Sequence, residues 1–168
     1  MEMCISKFLF MDKQKTQMYA ETLFGILYSN MNIIAPSGNS YEEDFSRWCA
    51  NVIPAMQKKQ RQIVLMYVDD VLAGYFQYYI NVDTRGLMME EIQIKKEFQG
   101  SGLFSKFYQW LVQQLPKDIL YVEAFANQMN DKSQKILVHL GLVKTQMGEC
   151  GDLDYFKGQY ADLLKRYR

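Results

Sequence analysis

The chain has 168 residues, of which 49% are hydrophobic and 14% aromatic, so it can bury the core of one domain without disulfides or metal. This composition excludes an intrinsically disordered chain. Nineteen Lys and Arg residues balance nineteen Asp and Glu residues, which argues against a dedicated nucleic-acid binder. The longest strongly apolar run, residues 63–68, is too short for a membrane span. We expect a single cytoplasmic domain over residues 1–168, with no nucleic-acid or membrane partner.

Cysteine and histidine usage argues against metal and disulfide chemistry. Cys4, Cys49 and Cys150 are odd in number, widely spaced and never in a C-x-x-C pair. His139 is the single histidine of the chain, and a His-based metal site needs more than one. We therefore predict that the protein binds no metal, and we expect His139 to have a structural role near a helix end.

The residue pattern predicts helices and strands in a definite order. Ser40 and Glu43 form a capping box that starts a helix at Tyr41, and Pro54 predicts a kink or a division of that helix into two pieces. Two β-branched, aromatic runs flank Asp69-Asp70, as in a hairpin. The predicted order is strand 3–11, helix 16–31, helix 41–58, strands 61–68, 71–80 and 87–94, helix 102–115, strand 119–126, helix 131–140, strands 142–147 and 154–160, and a last helical turn 161–168. This order predicts an α/β fold with a mixed central sheet and helices on both faces.

The most informative segment is the junction from Ile92 to Leu103, where a strand ends, glycines allow a tight turn and a helix begins. Such a junction directs unpaired amide N–H groups and the positive end of a helix dipole at one point, which suits phosphate or pyrophosphate. A G-x-G spacing also occurs in loops that only turn the chain, and that alternative stays open. A P-loop motif is absent, and Ser105 stands where a Rossmann fingerprint needs a third glycine.

Two segments resemble the GNAT acetyltransferase superfamily. The family's cofactor loop is Q/R-x-x-G-x-G/A after a strand ending V-x-P-E-Y. Gln99 and Gly102 match the loop, with Gly100 in a commonly glycine position, and Ile94, Glu97 and Phe98 match the approach to it. Downstream, residues 130–142 are similar to the family segment N-x-x-A-x-x-L-Y-x-K-x-G-F without a gap. The element order agrees over nearly the whole chain. The resemblance implies a GNAT-type α/β fold with a mixed, mostly antiparallel central sheet flanked by helices.

The resemblance also implies a function. A GNAT enzyme moves the acetyl group of acetyl-CoA to a primary amine of a small molecule or peptide, by direct attack in a ternary complex, and works as a monomer or homodimer. Its strand groups pair with the pantetheine arm, and its loop amides hold the pyrophosphate. The implied cofactor contacts are Ile92, Gln93, Ile94, Gln99, Gly100, Ser101, Gly102, Leu103, Phe104, Asn130 and Ser133.

Two positions depart from the family pattern. Phe104 stands where the family has Gly or Ala, so the helix start is bulkier. Leu137 stands where many members carry a tyrosine that protonates the leaving thiolate, and a leucine cannot donate a proton. A non-catalytic acyl-CoA-binding or regulatory module is therefore the alternative function, and a Rossmann-like nucleotide-binding protein is a third one.

The attacking amine must be neutral, and a lysine-like amine has a pKa of about 10.4. A carboxylate within reach can take its proton. Glu90 and Glu91 lie on the strand just before the loop, where several GNAT enzymes place such a base. Strand alternation puts Glu90 with Ile92 and Ile94, and Glu91 with Gln93 on the opposite face. We favour Glu90 as the catalytic base, with solvated surface carboxylates as the alternative for both.

Overall fold

The structure is a computed structural model that describes residues 3–58 and 60–168. Short 3-10 turns occupy Lys13–Lys15 and Lys96–Phe98. The strands and α-helices of the described residues are, in chain order, β1 (Ser6–Phe10), α1 (Thr16–Ile34), α2 (Tyr41–Ala55), β2 (Arg61–Val68), β3 (Val71–Asn81), β4 (Gly86–Ile94), α3 (Leu103–Gln114), β5 (Tyr121–Asn127), α4 (Asp131–His139), β6 (Val143–Cys150), β7 (Leu153–Gln159) and α5 (Tyr160–Tyr167).

The predicted elements are present in the predicted order. The capping box is confirmed, because the Ser40 hydroxyl accepts from the Glu43 N–H at 3.2 Å and the Glu43 carboxylate accepts from the Ser40 N–H at 3.0 Å. Of the two alternatives for Pro54, division of the helix into two pieces is wrong, because α2 is one helix, and the kink stays a prediction. Pro54 lies in its last turn, where the missing N–H removes only a terminal hydrogen bond and the helix ends one residue later.

The strands form one seven-stranded sheet in the order β1-β2-β3-β4-β5-β7-β6. The pair β4/β5 is parallel, whereas β1/β2, β5/β7 and β6/β7 are antiparallel. Asp69 and Asp70 join β2 to β3 with φ of 49° and 65°, the two positive angles of a type I′ hairpin turn. The predicted mixed, mostly antiparallel sheet flanked by helices is confirmed.

The chain divides into two compact units. Unit 1 comprises the described residues of 1–77 together with 91–103. Its helices α1 and α2 pack on each other and on the sheet through apolar side chains that recur at helical spacing. The buried residues of this core are Met11, Leu23, Ile26, Val52, Met56, Ile63, Leu65 and Tyr75.

Unit 2 comprises residues 78–90 and 104–168, including most of α3 and the strands β5, β6 and β7. In this unit α4 lies against β5, and α5 lies against β7. Phe107 and Leu111 of α3, Val122 of β5, Phe156 of β7 and Leu163 of α5 are fully or almost fully buried. The prediction of a single domain over the whole chain stays a prediction. None of the described helices has the length and apolarity that a membrane crossing requires.

Candidate functional site

The loop between β4 and α3 contains two glycines in the left-handed region of backbone conformation. Gly100 has φ of 76° and Gly102 has φ of 83°, angles that L-residues rarely adopt. A Cβ added at either position would have no heavy atom within 4 Å. The glycines are therefore required by the turn itself, and the side of the loop that a Cβ would occupy is open.

This loop also contains amide donors next to the start of α3. The N–H of Gln99 donates to the Lys96 carbonyl at 3.3 Å, whereas the N–H groups of Gly100, Ser101 and Gly102 donate to no backbone carbonyl in the described part of the chain. The helix α3 begins at Leu103, so the positive end of its dipole lies directly behind these amides. Adjacent unpaired N–H groups at a helix N-terminus attract an anion such as phosphate.

Two side chains brace the loop. The Ser101 hydroxyl donates to the Phe98 carbonyl at 2.6 Å, and the Gln99 side-chain amide donates to the Ile94 carbonyl at 2.9 Å. The second bond ties the loop to the last residue of β4. Both contacts keep the amides in a fixed position before any ligand binds, which lowers the entropy cost of binding.

The end of β4 also carries a hydrogen-bonded side-chain network that the sequence did not reveal. The Asn30 amide of α1 donates to the Ile94 carbonyl and to the Gln93 side-chain oxygen, both at 2.9 Å. The Gln93 amide nitrogen donates in turn to the Glu91 carboxylate. This contact places Glu91 and Gln93 on one face of the strand, as alternation predicts. The only sequence signal for Asn30 is a polar residue close to the apolar positions Leu27 and Ile34 of α1.

Gly74 of β3 permits a close approach of backbone to the same end of β4. A Cβ at Gly74 would stand 2.3 Å from the Gln93 carbonyl oxygen, which no real Cβ tolerates. The neighbouring Lys95 N–H donates to the Ala73 carbonyl at 2.7 Å. A glycine inside a strand pattern indicates such an approach, and Gly74 is a second residue that sequence reasoning missed.

The parallel pairing of β4 with β5 covers only the first part of β4. The paired residues run from Gly86 opposite Tyr121 to Met89 opposite Ala124. The strand β4 continues for five residues beyond that last pair, Glu90 to Ile94, and these include both candidate carboxylates and the strand residues predicted to contact the cofactor.

Asn130 and Ser133 lie in unit 2, at the start of α4. The Asn130 side-chain oxygen accepts from the Ser133 N–H at 3.0 Å, so Asn130 is the predicted helix cap. Asn130 is only 8% exposed. Gly141 follows the helix with φ of 93°, which confirms the predicted stop signal.

Comparison with known proteins gives structural neighbours only. No family model matches the sequence, and no curated protein matches it. An acetyltransferase from Thermus thermophilus superposes with a TM-score of 0.69 at 13% identity, covering 92% of this chain and 96% of that one. The PaiA N-acetyltransferase from Thermoplasma acidophilum, in complex with coenzyme A, gives 0.67 at 10% identity over 93% and 99%. A mutant of the spermidine N-acetyltransferase SpeG from Vibrio cholerae gives 0.64 at 13% identity over 97% and 98%.

The chain has the GNAT acetyltransferase fold. Near-complete coverage of both chains in each superposition, at TM-scores of 0.64–0.69, carries this conclusion. The sequence identities are only 10–13%, so the superpositions establish the fold alone. The chemistry of the site depends on the residues that this chain has there.

Leucine and phenylalanine occupy two positions at the start of α3 within this GNAT fold. The Leu103 side chain is 2% exposed, so its backbone is the part available to a ligand. The Phe104 ring lies 4.7 Å from the Tyr108 ring, centroid to centroid. The aromatic contact directs the bulk of Phe104 onto its own helix, four residues along.

Leu137 and Tyr155 are the two residues that bear on the predicted protonation of a leaving thiolate. Leu137 is 9% exposed, as expected for a packing residue of α4. The Tyr155 hydroxyl, which is an alternative proton source, donates to the Glu123 carboxylate. Burial raises the pKa of Tyr155 above its usual range, and the hydrogen bond to Glu123 raises it further. Tyr155 is therefore a weak acid, and Glu123 is a polar partner on β5 that sequence reasoning did not assign.

The histidine and the cysteines show no arrangement that indicates a catalytic or metal-binding role among the described residues. His139 lies 3.1 Å from the Arg166 guanidinium, side chain to side chain, on an exposed surface. Cys4 and Cys49 are free thiols, and the side chain of Cys150 lies outside those that the structure describes. Among the described residues no three His, Cys, Asp or Glu side chains are grouped as metal ligands, and the absence of a metal stays a prediction.

Proposed function

We propose that the protein is an acetyl-CoA-dependent N-acetyltransferase that acetylates a primary amine of a small molecule. The observation that carries this proposal is the loop from Gln99 to Gly102, in which three N–H groups have no backbone acceptor among the described residues and which leads into α3 of a GNAT fold. A structural neighbour is in complex with coenzyme A, and another is a spermidine N-acetyltransferase. These two neighbours are consistent with a CoA donor and an amine acceptor.

The residues present fit coenzyme A. The pyrophosphate would be held by the backbone N–H groups from Gln99 to Phe104, since three of them have no backbone acceptor among the described residues and lie at a helix N-terminus. The Ile94 carbonyl already accepts two hydrogen bonds, which uses both of its lone pairs. Backbone pairing with the pantetheine arm therefore falls mainly to Ile92, because the Gln93 carbonyl lies against Gly74 of β3. The family resemblance adds Asn130 and Ser133 to the proposed contacts.

Acetyl-CoA, when bound, supplies an acetyl thioester. The chain's own residues supply positioning and proton transfer. A carboxylate on β4, Glu90 or Glu91, takes a proton from the acceptor ammonium and leaves a neutral amine. That nitrogen would form the new C–N bond as the C–S bond breaks. It would then release its second proton to water, and the thiolate would take up a proton from water, which leaves the neutral amide and the free thiol. A thiolate with a parent pKa of about 8.5, judged by cysteine, leaves readily without a dedicated acid. Leu137 and the hydrogen-bonded Tyr155 are both compatible with that route.

A second candidate function is a non-catalytic acyl-CoA-binding or regulatory module. The observation that favours it is Leu137, which removes the proton donor found at that place in many family members. The two functions share the cofactor loop and differ in turnover. A binding measurement therefore tests the loop, and a turnover measurement separates the two.

The experiment combines calorimetry with a thiol-release assay. We expect titration with acetyl-CoA to give saturable binding and titration with NAD to give none. Release of free thiol from acetyl-CoA is then followed with diamines, polyamines and the α-amine of a dipeptide as acceptors. Acceptor-dependent thiol release supports the enzyme. Binding without release by any acceptor favours the regulatory module. Binding of NAD in place of acetyl-CoA would overturn both.

A further inference from the structure

Within unit 1, three polar side chains form a hydrogen-bonded network that connects α1 to the end of β4. Asn30 donates to Gln93 at 2.9 Å, and Gln93 donates to Glu91. Gln93 is only 8% exposed, whereas Asn30 and Glu91 are half-buried. Buried polar groups are costly unless they are satisfied, and a satisfied network fixes the geometry of its members.

The direction of these hydrogen bonds follows from one fixed acceptor. The Asn30 amide also contacts the backbone carbonyl of Ile94 at 2.9 Å, and a carbonyl can only accept. Asn30 must therefore present its NH₂ group to this end of β4. Gln93 must then present its oxygen to Asn30, which leaves its own NH₂ group for the Glu91 carboxylate. A reversed Gln93 amide would place an oxygen against that carboxylate.

We propose that Asn30 and Gln93 are positioning residues that hold Glu91 as the general base of the acyl transfer. The inference rests on the proposed function, and it selects Glu91 from the two candidate bases, Glu90 and Glu91. The donated hydrogen bond favours the charged form of Glu91, which is the form that accepts a proton from the acceptor ammonium. The proton then passes to water, and the C–N bond forms as described above. Asn30 touches neither reactant and acts only through Gln93.

Tyr75 of β3 is a titratable group on a neighbouring strand that lies within the electrostatic reach of Glu91. Its side chain is fully buried, and in the described part of the chain its hydroxyl has no hydrogen-bond partner. Burial raises the pKa of Tyr75 well above its usual range, and the negative charge of Glu91 raises it further. Tyr75 is therefore neutral at working pH and adds no competing charge. The Gln93 amide donates a hydrogen bond directly to the Glu91 carboxylate.

The test measures the pKa of Glu91 directly. Protein labelled with ¹³C at the glutamate carboxyl is titrated by NMR, and the Glu91 signal is assigned with Glu91→Gln. Asn30→Leu removes the donor that orients Gln93. Asn30→Asp keeps the size of the side chain and accepts only, so it favours the reversed amide. Asn32→Leu and Asn32→Asp are the matched controls, since Asn32 is exposed on the same helix.

We expect both Asn30 variants to raise the Glu91 pKa by about one unit, and the controls to leave it unchanged. The acid limb of the kcat/KM profile should move to higher pH by the same amount. A Glu91 pKa that is unchanged in both Asn30 variants, in a protein that transfers acetyl groups, would overturn this inference alone. Failure of the wild type to bind acetyl-CoA would overturn the proposed function instead, because the NMR titration needs no turnover.

Discussion

A substitution at Gly102 tests whether the loop before α3 binds the cofactor or only forms a turn. Replacement by alanine adds a methyl group on the open side of the loop, directly before the first residue of α3. Gly102 has φ of 83°, so alanine there costs about 1–2 kcal/mol of stability whether or not a ligand binds. A loss of binding therefore needs a control with the same strain.

Gly38 supplies that control. It has φ of 80°, and a Cβ there would also have no heavy atom within 4 Å. Gly38→Ala and Gly102→Ala should therefore lose a similar free energy of unfolding, measured by urea denaturation. Only Gly102→Ala should weaken acetyl-CoA binding, by at least about tenfold, which corresponds to about 1.4 kcal/mol. Gly102→Val is a poorer test, because a β-branched residue adds further strain at the same φ.

Calorimetric titration of the two folded variants with acetyl-CoA gives the answer. Equal dissociation constants for Gly102→Ala and the wild type would refute the assignment of this loop to the pyrophosphate. An equal loss of affinity in Gly38→Ala would show that backbone strain, rather than a blocked anion site, is the cause.

Three further results are expected. Gly74→Ala should lower the free energy of unfolding, measured in urea, by at least about 1–3 kcal/mol, because its Cβ would lie 2.3 Å from a backbone oxygen. Gly25→Ala in the interior of α1 should raise that free energy by up to about 1 kcal/mol. Leu137→Ala should lower the free energy of unfolding by about 2–5 kcal/mol, whereas Leu137→Met should keep turnover within a few-fold of the wild type. Loss of turnover in Leu137→Ala without loss of stability would contradict a packing role. Burial raises the pKa of Tyr78 to about 12, so the unfolded chain releases this proton first and stability should fall between pH 10 and about 12. Tyr78→Phe should make that fall shallower in alkaline unfolding curves.

Local signals determined much of the fold in advance. The capping box at Ser40, the Asp69-Asp70 turn, the Asn130 cap and the glycines at 100 and 102 all act within about four residues of themselves. The spacing of apolar residues along the sequence then assigned each segment to a helix or a strand. The order of these segments allowed only a few topologies. The Gln99 to Gly102 loop could therefore be predicted as a candidate anion site without knowledge of its surroundings.

Only the tertiary structure decided which side chains support that loop. Asn30 meets Gln93 and Ile94 across 63 and 64 residues of sequence, and Tyr155 meets Glu123 across 32. No local pattern encodes such pairs, because they depend on the register of one element against another, and a shift of one residue turns every strand side chain to the other face. For the same reason alternation could pair Glu91 with Gln93 but could not show that Asn30 orients them. The sequence alone determined the elements and the loop, and the packing of α1 on β4 determined the environment of the proposed base.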